Sequence, residues 1–108
     1  MITYDDFAKL DITIGTILFV DIVEDADKLL KLSVDVGEEE PRQIVSGIRT
    51  FFEDPQSLVG MQCPFLINLE SRTIRGLESQ GMILAGGDGE TFTLLNPHKK
   101  VPAGTKIS

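Results

Sequence analysis

From Leu30 to Val36 the chain reads Leu30-Lys31-Leu32-Ser33-Val34-Asp35-Val36, apolar at every second position. Successive side chains on a strand point to opposite faces, so this stretch buries one face and wets the other only as β-structure. Segments of similar character recur about every ten residues: Ile12–Val20, Arg42–Ile48, Cys63–Leu69 and Gly81–Ala85. Glu24-Asp25-Ala26-Asp27, Gly37-Glu38-Glu39-Glu40-Pro41 and Gly86-Gly87-Asp88-Gly89 punctuate the series as turns. Short strands at this spacing predict an all-β barrel or sandwich.

Asp54-Pro55 reads as the N-cap and first position of a one-turn helix ending at Gly60, between the third and fourth strands. An insertion at that point favours a five-stranded Greek-key barrel of the OB type over a small sandwich. Thr3 and Asp6 have the spacing of a capping box for a short N-terminal helix, with Ile2 and Phe7 at the hydrophobic staple positions. Past Ala85, Phe92, Leu94, Leu95, Val101 and Ile107 predict a C-terminal β extension, which with Phe7 and Leu10 of the N-terminal helix is expected to form the contact of a symmetric homodimer. The 108 residues make one domain, 1–108. Phe19, Phe65 and Phe92 are expected in the core, Gly15 at a bend or bulge, and Pro64 at a strand edge.

The chemistry of an enzyme is missing from this pattern. His98, the lone histidine, sits in the polar turn Asn96-Pro97-His98-Lys99-Lys100, and no Gly-x-Ser-x-Gly presents a nucleophile. The single Cys63 lies in an apolar run, where it reads as a small core residue, and it excludes an internal disulfide and a cysteine zinc cluster. Glu38-Glu39-Glu40 reads as a solvated charge run. Asp25 and Asp27 lack the other ligands of a calcium loop. No catalytic residue, metal or cofactor is expected. The N-terminus has no basic and apolar leader and no run approaches a membrane span, so the cytoplasm is the default compartment.

Charge is distributed unevenly. The net value is −7, but residues 1–54 carry 13 acidic and 5 basic side chains, whereas residues 55–108 carry 4 and 5. Only the second half offers a cationic face. Two of its arginines fall in Asn68-Leu69-Glu70-Ser71-Arg72-Thr73-Ile74-Arg75-Gly76-Leu77-Glu78-Ser79-Gln80-Gly81-Met82, which reads as strand, arginine-bearing loop, then strand. Arg72 and Arg75 can fork onto phosphates, Asn68 and Ser79 can hydrogen-bond, and Met82 can lie against a base or ribose. A solvated loop with Met82 in the core fits the same residues. The connection Phe51-Phe52 and the absence of Trp make a weak platform for stacking bases, so backbone and shape recognition fits better.

The chain resembles the tRNA-binding domain appended to methionyl-tRNA synthetases and the free-standing tRNA-binding proteins. The likeness rests on Tyr4-Asp5-Asp6-Phe7-Ala8-Lys9-Leu10-Asp11, Val23-Glu24-Asp25-Ala26-Asp27-Lys28-Leu29-Leu30, Val45-Ser46-Gly47-Ile48-Arg49, Asp54-Pro55-Gln56, Arg75-Gly76, Ser79-x-Gly81-Met82 and Pro102-x-Gly104. It resembles the secretion-associated chaperone relatives less. The resemblance implies an OB barrel that dimerises and binds the folded tRNA body without choosing an anticodon. It also implies an RNA site with Ser46 and Arg49 on one side, Asn68, Arg72, Arg75, Ser79 and Met82 on the other, and Lys28 as a further contributor. Two departures lower the positive charge. Thr13 and Thr16 stand where the family carries cations in its opening strand, and Glu70, Ser71 and Thr73 replace the family's usual Lys-Pro-x-Lys in the loop after Asn68-Leu69. The functional expectation is a homodimeric tRNA-binding module assisting a methionyl-tRNA synthetase catalytic body. The alternative is a dimerisation or protein-docking domain with weak or lost RNA affinity.

Overall fold

The computed structural model describes all of residues 1–108. After a short helix α1 (Tyr4–Ala8) come strands β1 (Ile12–Ile22), β2 (Leu30–Asp35), β3 (Arg42–Ser46), β4 (Gln62–Leu66), β5 (Arg72–Ile74), β6 (Leu77–Ser79), β7 (Met82–Ile83), β8 (Ala85–Gly86), β9 (Thr93–Leu94) and β10 (Thr105–Lys106). Antiparallel pairing orders the main sheet β3-β2-β1-β4-β7, and it curls into a nearly closed barrel of the OB type. The fold is all-β apart from α1 and three 3-10 turns.

The alternating segment behaves as its pattern dictates. Leu30, Leu32, Val34 and Val36 are fully or almost fully buried, while Lys31, Ser33 and Asp35 are half-buried on the other face. They join Ile17, Val20, Ile44, Ile48, Cys63, Phe65 and Ile83 in the barrel interior, and Leu58 of the 3-10 turn Pro55–Leu58 closes one end. Asp54 caps that turn by accepting from the Gln56 N–H at 3.1 Å. Thr3 and Asp6 form the expected reciprocal box on α1. Each large apolar side chain buried this way contributes about 1.5–3 kcal/mol.

Three expectations need correction. The bulge on β1 falls at Leu18, between the pairs Ile17↔Val34 and Phe19↔Ser33, and not at Gly15. One extra residue reverses the alternation, which turns Val20 inward and leaves Phe19 65% exposed. Phe19 is therefore outside the core that receives Phe65 and the partly buried Phe92. Gly15 serves close packing instead: a Cβ there would stand 2.7 Å from Val34 and 2.8 Å from Phe65. Pro64, expected at an edge, lies on a strand paired on both sides, opposite Ile14 of β1. It is tolerated because β7 ends at Ile83, and the Pro64 carbonyl still accepts from the Leu84 N–H at 3.0 Å.

The segment beyond β7 folds back on the barrel. β8 and β9 form a hairpin, and β10 pairs with β1 at Thr13↔Lys106 and Ile14↔Thr105. Phe92 and Leu94 pack against the core, Val101 and Ile107 are half-buried, and Leu95 stays exposed.

Candidate nucleic-acid interface

What the sequence presents as an arginine-bearing loop is a two-residue β-hairpin. β5 and β6 pair through Arg72↔Ser79, Thr73↔Glu78 and Ile74↔Leu77, with Arg75-Gly76 at the tip. Both tip residues have positive φ, 52° at Arg75 and 80° at Gly76, the signature of a type I′ turn. Asn or Asp is the usual partner of glycine there. An arginine in the left-handed region costs on the order of 1–2 kcal/mol. The fold thus holds a cation where a cheaper residue would make the same turn.

The hairpin lies along β3 and forms the seam that closes the barrel. The Val45 N–H donates to Ser79 Oγ at 3.0 Å, and that hydroxyl donates to the Gly81 carbonyl at 3.0 Å. The Gln80 N–H donates to the Gln43 carbonyl at 2.8 Å, while the Gln43 N–H donates to Gln80 Oε1 at 2.9 Å. Arg42 fastens the far end of the seam. One of its nitrogens donates to the carbonyls of Ile67 and Gln80, and the others form a bidentate pair with Glu38 at 2.8 Å. Hydrogen bonding by Arg42 holds the Glu38 carboxyl below the usual range, and Glu38 in turn raises Arg42.

This geometry separates the eight residues implied by resemblance. Lys28 and Arg75 line one cleft together with Asp25, Asp27 and Ile74, because the β1–β2 connection meets the hairpin tip. Arg49 stands beside them: its N–H donates to the Lys28 carbonyl at 3.2 Å, and Asp27 lines both its cleft and theirs. Ser46 lies opposite Leu30 at the same end of β3. Arg72 is exposed on the hairpin stem. Ser79 is buried, with its hydroxyl engaged on both sides by backbone, so it positions the hairpin. Asn68 accepts from the Asp11 N–H at 2.8 Å and donates to the Lys9 carbonyl at 2.7 Å, tying α1 to the end of β4. That is the opposite end of β1 from Lys28. Met82 pairs with Leu66 near Asn68 and is 39% exposed.

The electrostatics follow from which cations have partners. Of the ten Lys and Arg side chains, Lys9, Arg42 and Lys106 hold carboxylates. The other seven hold none, and four of these, Lys28, Arg49, Arg72 and Arg75, lie around the β1–β2 connection and the hairpin. Arg42 and Gln80 were absent from the predicted set. Only a fold-level reading of where β3 meets β7 finds them.

A family described as “Putative tRNA binding domain” matches residues 12–106. The chain belongs to that family. It is 49% identical over 108 residues to a methionine–tRNA ligase of Methanococcoides burtonii, spanning 99% of this chain and 16% of that protein. Among solved structures, a MetRS-related protein from Pyrococcus horikoshii superposes with a TM-score of 0.91 at 30% identity, covering 100% of this chain and 98% of the other. The chaperone CsaA of Bacillus anthracis superposes at 0.88 and 30% identity, covering 100% and 99%. The chain spans about a sixth of the length of the ligases it matches.

Cys63, fully buried between β1 and β7, has its thiol pushed up to about 11 by burial. No group of three or more His, Cys, Asp or Glu side chains is arranged to hold a metal ion. No helix is long and apolar enough to cross a membrane.

Proposed function

We propose that residues 1–108 form a single non-catalytic module that binds the folded body of tRNA through Lys28, Arg49, Arg72 and Arg75. The observation that carries this reading is the gathering of four cations without carboxylate partners on one part of an otherwise acidic protein. Such groups contribute by releasing counterions from phosphates, without reading bases. Membership of the tRNA-binding domain family and the likeness to methionine–tRNA ligases support it. They further support a cytoplasmic role beside a methionyl-tRNA synthetase catalytic body, where weak contacts raise the local concentration of tRNA. A gel shift with bulk tRNA at low salt tests the reading, and absence of any complex at tens of micromolar protein rejects it.

A homodimer is part of the proposal. Tyr4 is 75% exposed and Leu10 40%, on the segment that Asn68 ties to β4, and Leu69 beside Asn68 is 38% exposed. These residues, rather than the C-terminal tail that packs on the barrel, offer an apolar face at the end away from the cations. A two-fold contact there leaves both cationic sites free. Sedimentation at micromolar concentration checks it, and a ~12 kDa species alone rejects it. The net charge of −7 favours one competing reading, a docking domain with lost RNA affinity. In that case the dimer persists in sedimentation while the gel shift is blank.

A further inference from the structure

Beside the cationic site the molecule carries an aromatic stack that backbone recognition of tRNA leaves unused. The 3-10 turn Arg49–Phe51 follows β3 and brings Phe51 against Phe92, ring centroids 3.9 Å apart and planes 6° from parallel. Phe52 meets Phe92 edge-on at 6.0 Å and 83°. A parallel stack at that distance covers one face of Phe51, yet the residue is 39% exposed. Phe51 therefore keeps surface that the stack does not cover. It borders a cleft of about 570 Å³, which Arg49, Ile22, Asp27 and Glu53 also line and Phe92 does not.

We propose that the open face of Phe51 is a stacking platform for one unpaired base of a bound RNA, with Arg49 holding the adjacent phosphate. Three observations converge on a nucleotide. A flat ring rigidly backed by a second ring presents a π-face at little entropic cost, and base–aromatic stacking is tolerant of base identity. Arg49 has no carboxylate partner, so its guanidinium is free for a phosphate. Asp27 also borders both this cleft and the Lys28–Arg75 cleft, so the two adjoin and lie within reach of one RNA strand. Asp27 and Glu53 reduce the net charge in the cleft. Binding at Phe51 thus rests on stacking, and the carboxylates can accept hydrogen bonds from base amino groups. The inference rests on the tRNA-binding reading and adds an unpaired nucleotide to it.

The sequence has no Trp, so Phe51→Trp introduces the sole indole as a reporter. Titration with bulk tRNA and with pentaadenylate is expected to quench it. Phe51→Leu, which keeps apolar bulk and removes the π-face, is expected to weaken tRNA binding about 5- to 100-fold with an unchanged salt slope. Equal tRNA affinity of Phe51→Leu and the wild type, with an unquenched indole, overturns the platform while the tRNA reading stands. If Phe51→Leu loses the native circular dichroism, indole quenching by tRNA alone decides, present for the proposal and absent against it. If the wild type binds no tRNA, quenching by pentaadenylate upholds the platform and rejects the tRNA reading, whereas no quenching rejects both. Quenching by an aromatic peptide and not by RNA assigns the cleft to protein and overturns the proposal.

Discussion

The barrel seam and the hairpin tip are a few residues apart in sequence and opposite in their polar chemistry. At the seam, Ser79, Gln80, Gln43 and Arg42 use their hydrogen bonds within the protein, on backbone, on one another and, for Arg42, on Glu38. At the tip, Arg75 stands on a strained turn, lining one cleft with Lys28 and with no carboxylate partner. A group whose bonds are used internally supports the fold, and a charge left unpaired at a backbone cost is available to a ligand. The two regions should therefore separate under mutation, one moving stability and the other affinity.

The largest expected effect is at the seam. Ser79→Ala removes the acceptor of the Val45 N–H in a buried setting, and an orphaned donor there costs about 1–3 kcal/mol. For a domain of this size that lowers Tm by roughly 4–8 °C per kcal/mol. tRNA affinity per folded molecule should stay within about twofold. Thermal melts and binding on the same preparation check both. Unchanged stability with lost affinity would make Ser79 a contact residue, as the family resemblance implies, and would erase the distinction between the regions.

At the tip the signs reverse. Arg75→Asn relieves the positive-φ strain of the turn, so the fold should gain about 0.5–1 kcal/mol. The same change removes a forked phosphate contact, and tRNA binding should weaken about tenfold, the worth of one charge-assisted pair. Opposite movement of the two measurements is hard to obtain from a residue that only shapes its loop. If stability and affinity fall together, Arg75 is structural.

These contrasts show how much was legible in the residues alone. The strand series and the alternation at Leu30–Val36 indicated the barrel, because burial enforces the period of two on any strand with one wet face. Phe19 was misplaced because a bulge leaves no mark in a run such as Ile17-Leu18-Phe19-Val20, where every residue is apolar. The hairpin was hidden because Arg-Gly is an uncommon type I′ pair, so Arg72–Ser79 looked like an irregular loop. Lys28 meets Arg75 only through barrel closure, and nothing local in either segment records it. The inward use of Ser79 and Asn68 was equally invisible, since the same side chains could hydrogen-bond outward to RNA.

A salt titration sharpens the tip. With two to four phosphates contacted by each protomer, log affinity should fall against log salt with a slope of about −2 to −3. Arg75→Asn should make that slope shallower by about one, and Ser79→Ala should leave it alone. A slope that is flat in the wild type removes phosphate contact from the description of the site. A slope that is unaltered in Arg75→Asn removes Arg75 from it.

The smallest effect belongs to the seam again, and it is read by pH. Hydrogen bonds from Arg42 depress the Glu38 carboxyl in the folded protein relative to its ordinary value near 4.5. A depressed carboxyl contributes stability that is present above the unfolded value and is lost as pH falls through the folded one. The window therefore opens below about pH 4.5 and extends downward. Glu38 is 44% exposed along its side chain, so water and salt screen the pair, and its worth is held to under about 1 kcal/mol. Urea melts from pH 6 down to pH 3 should show the wild type losing slightly more stability than Glu38→Gln, with the gap narrowing at high salt. Arg42 keeps its bonds to the Ile67 and Gln80 carbonyls in that variant, so the barrel should remain closed. Identical acid dependence in the two proteins would show that those carbonyls hold Arg42 without help from Glu38. The seam would then be sustained by backbone acceptors alone, and its contrast with the unpaired tip would be one of hydrogen bonding rather than of charge.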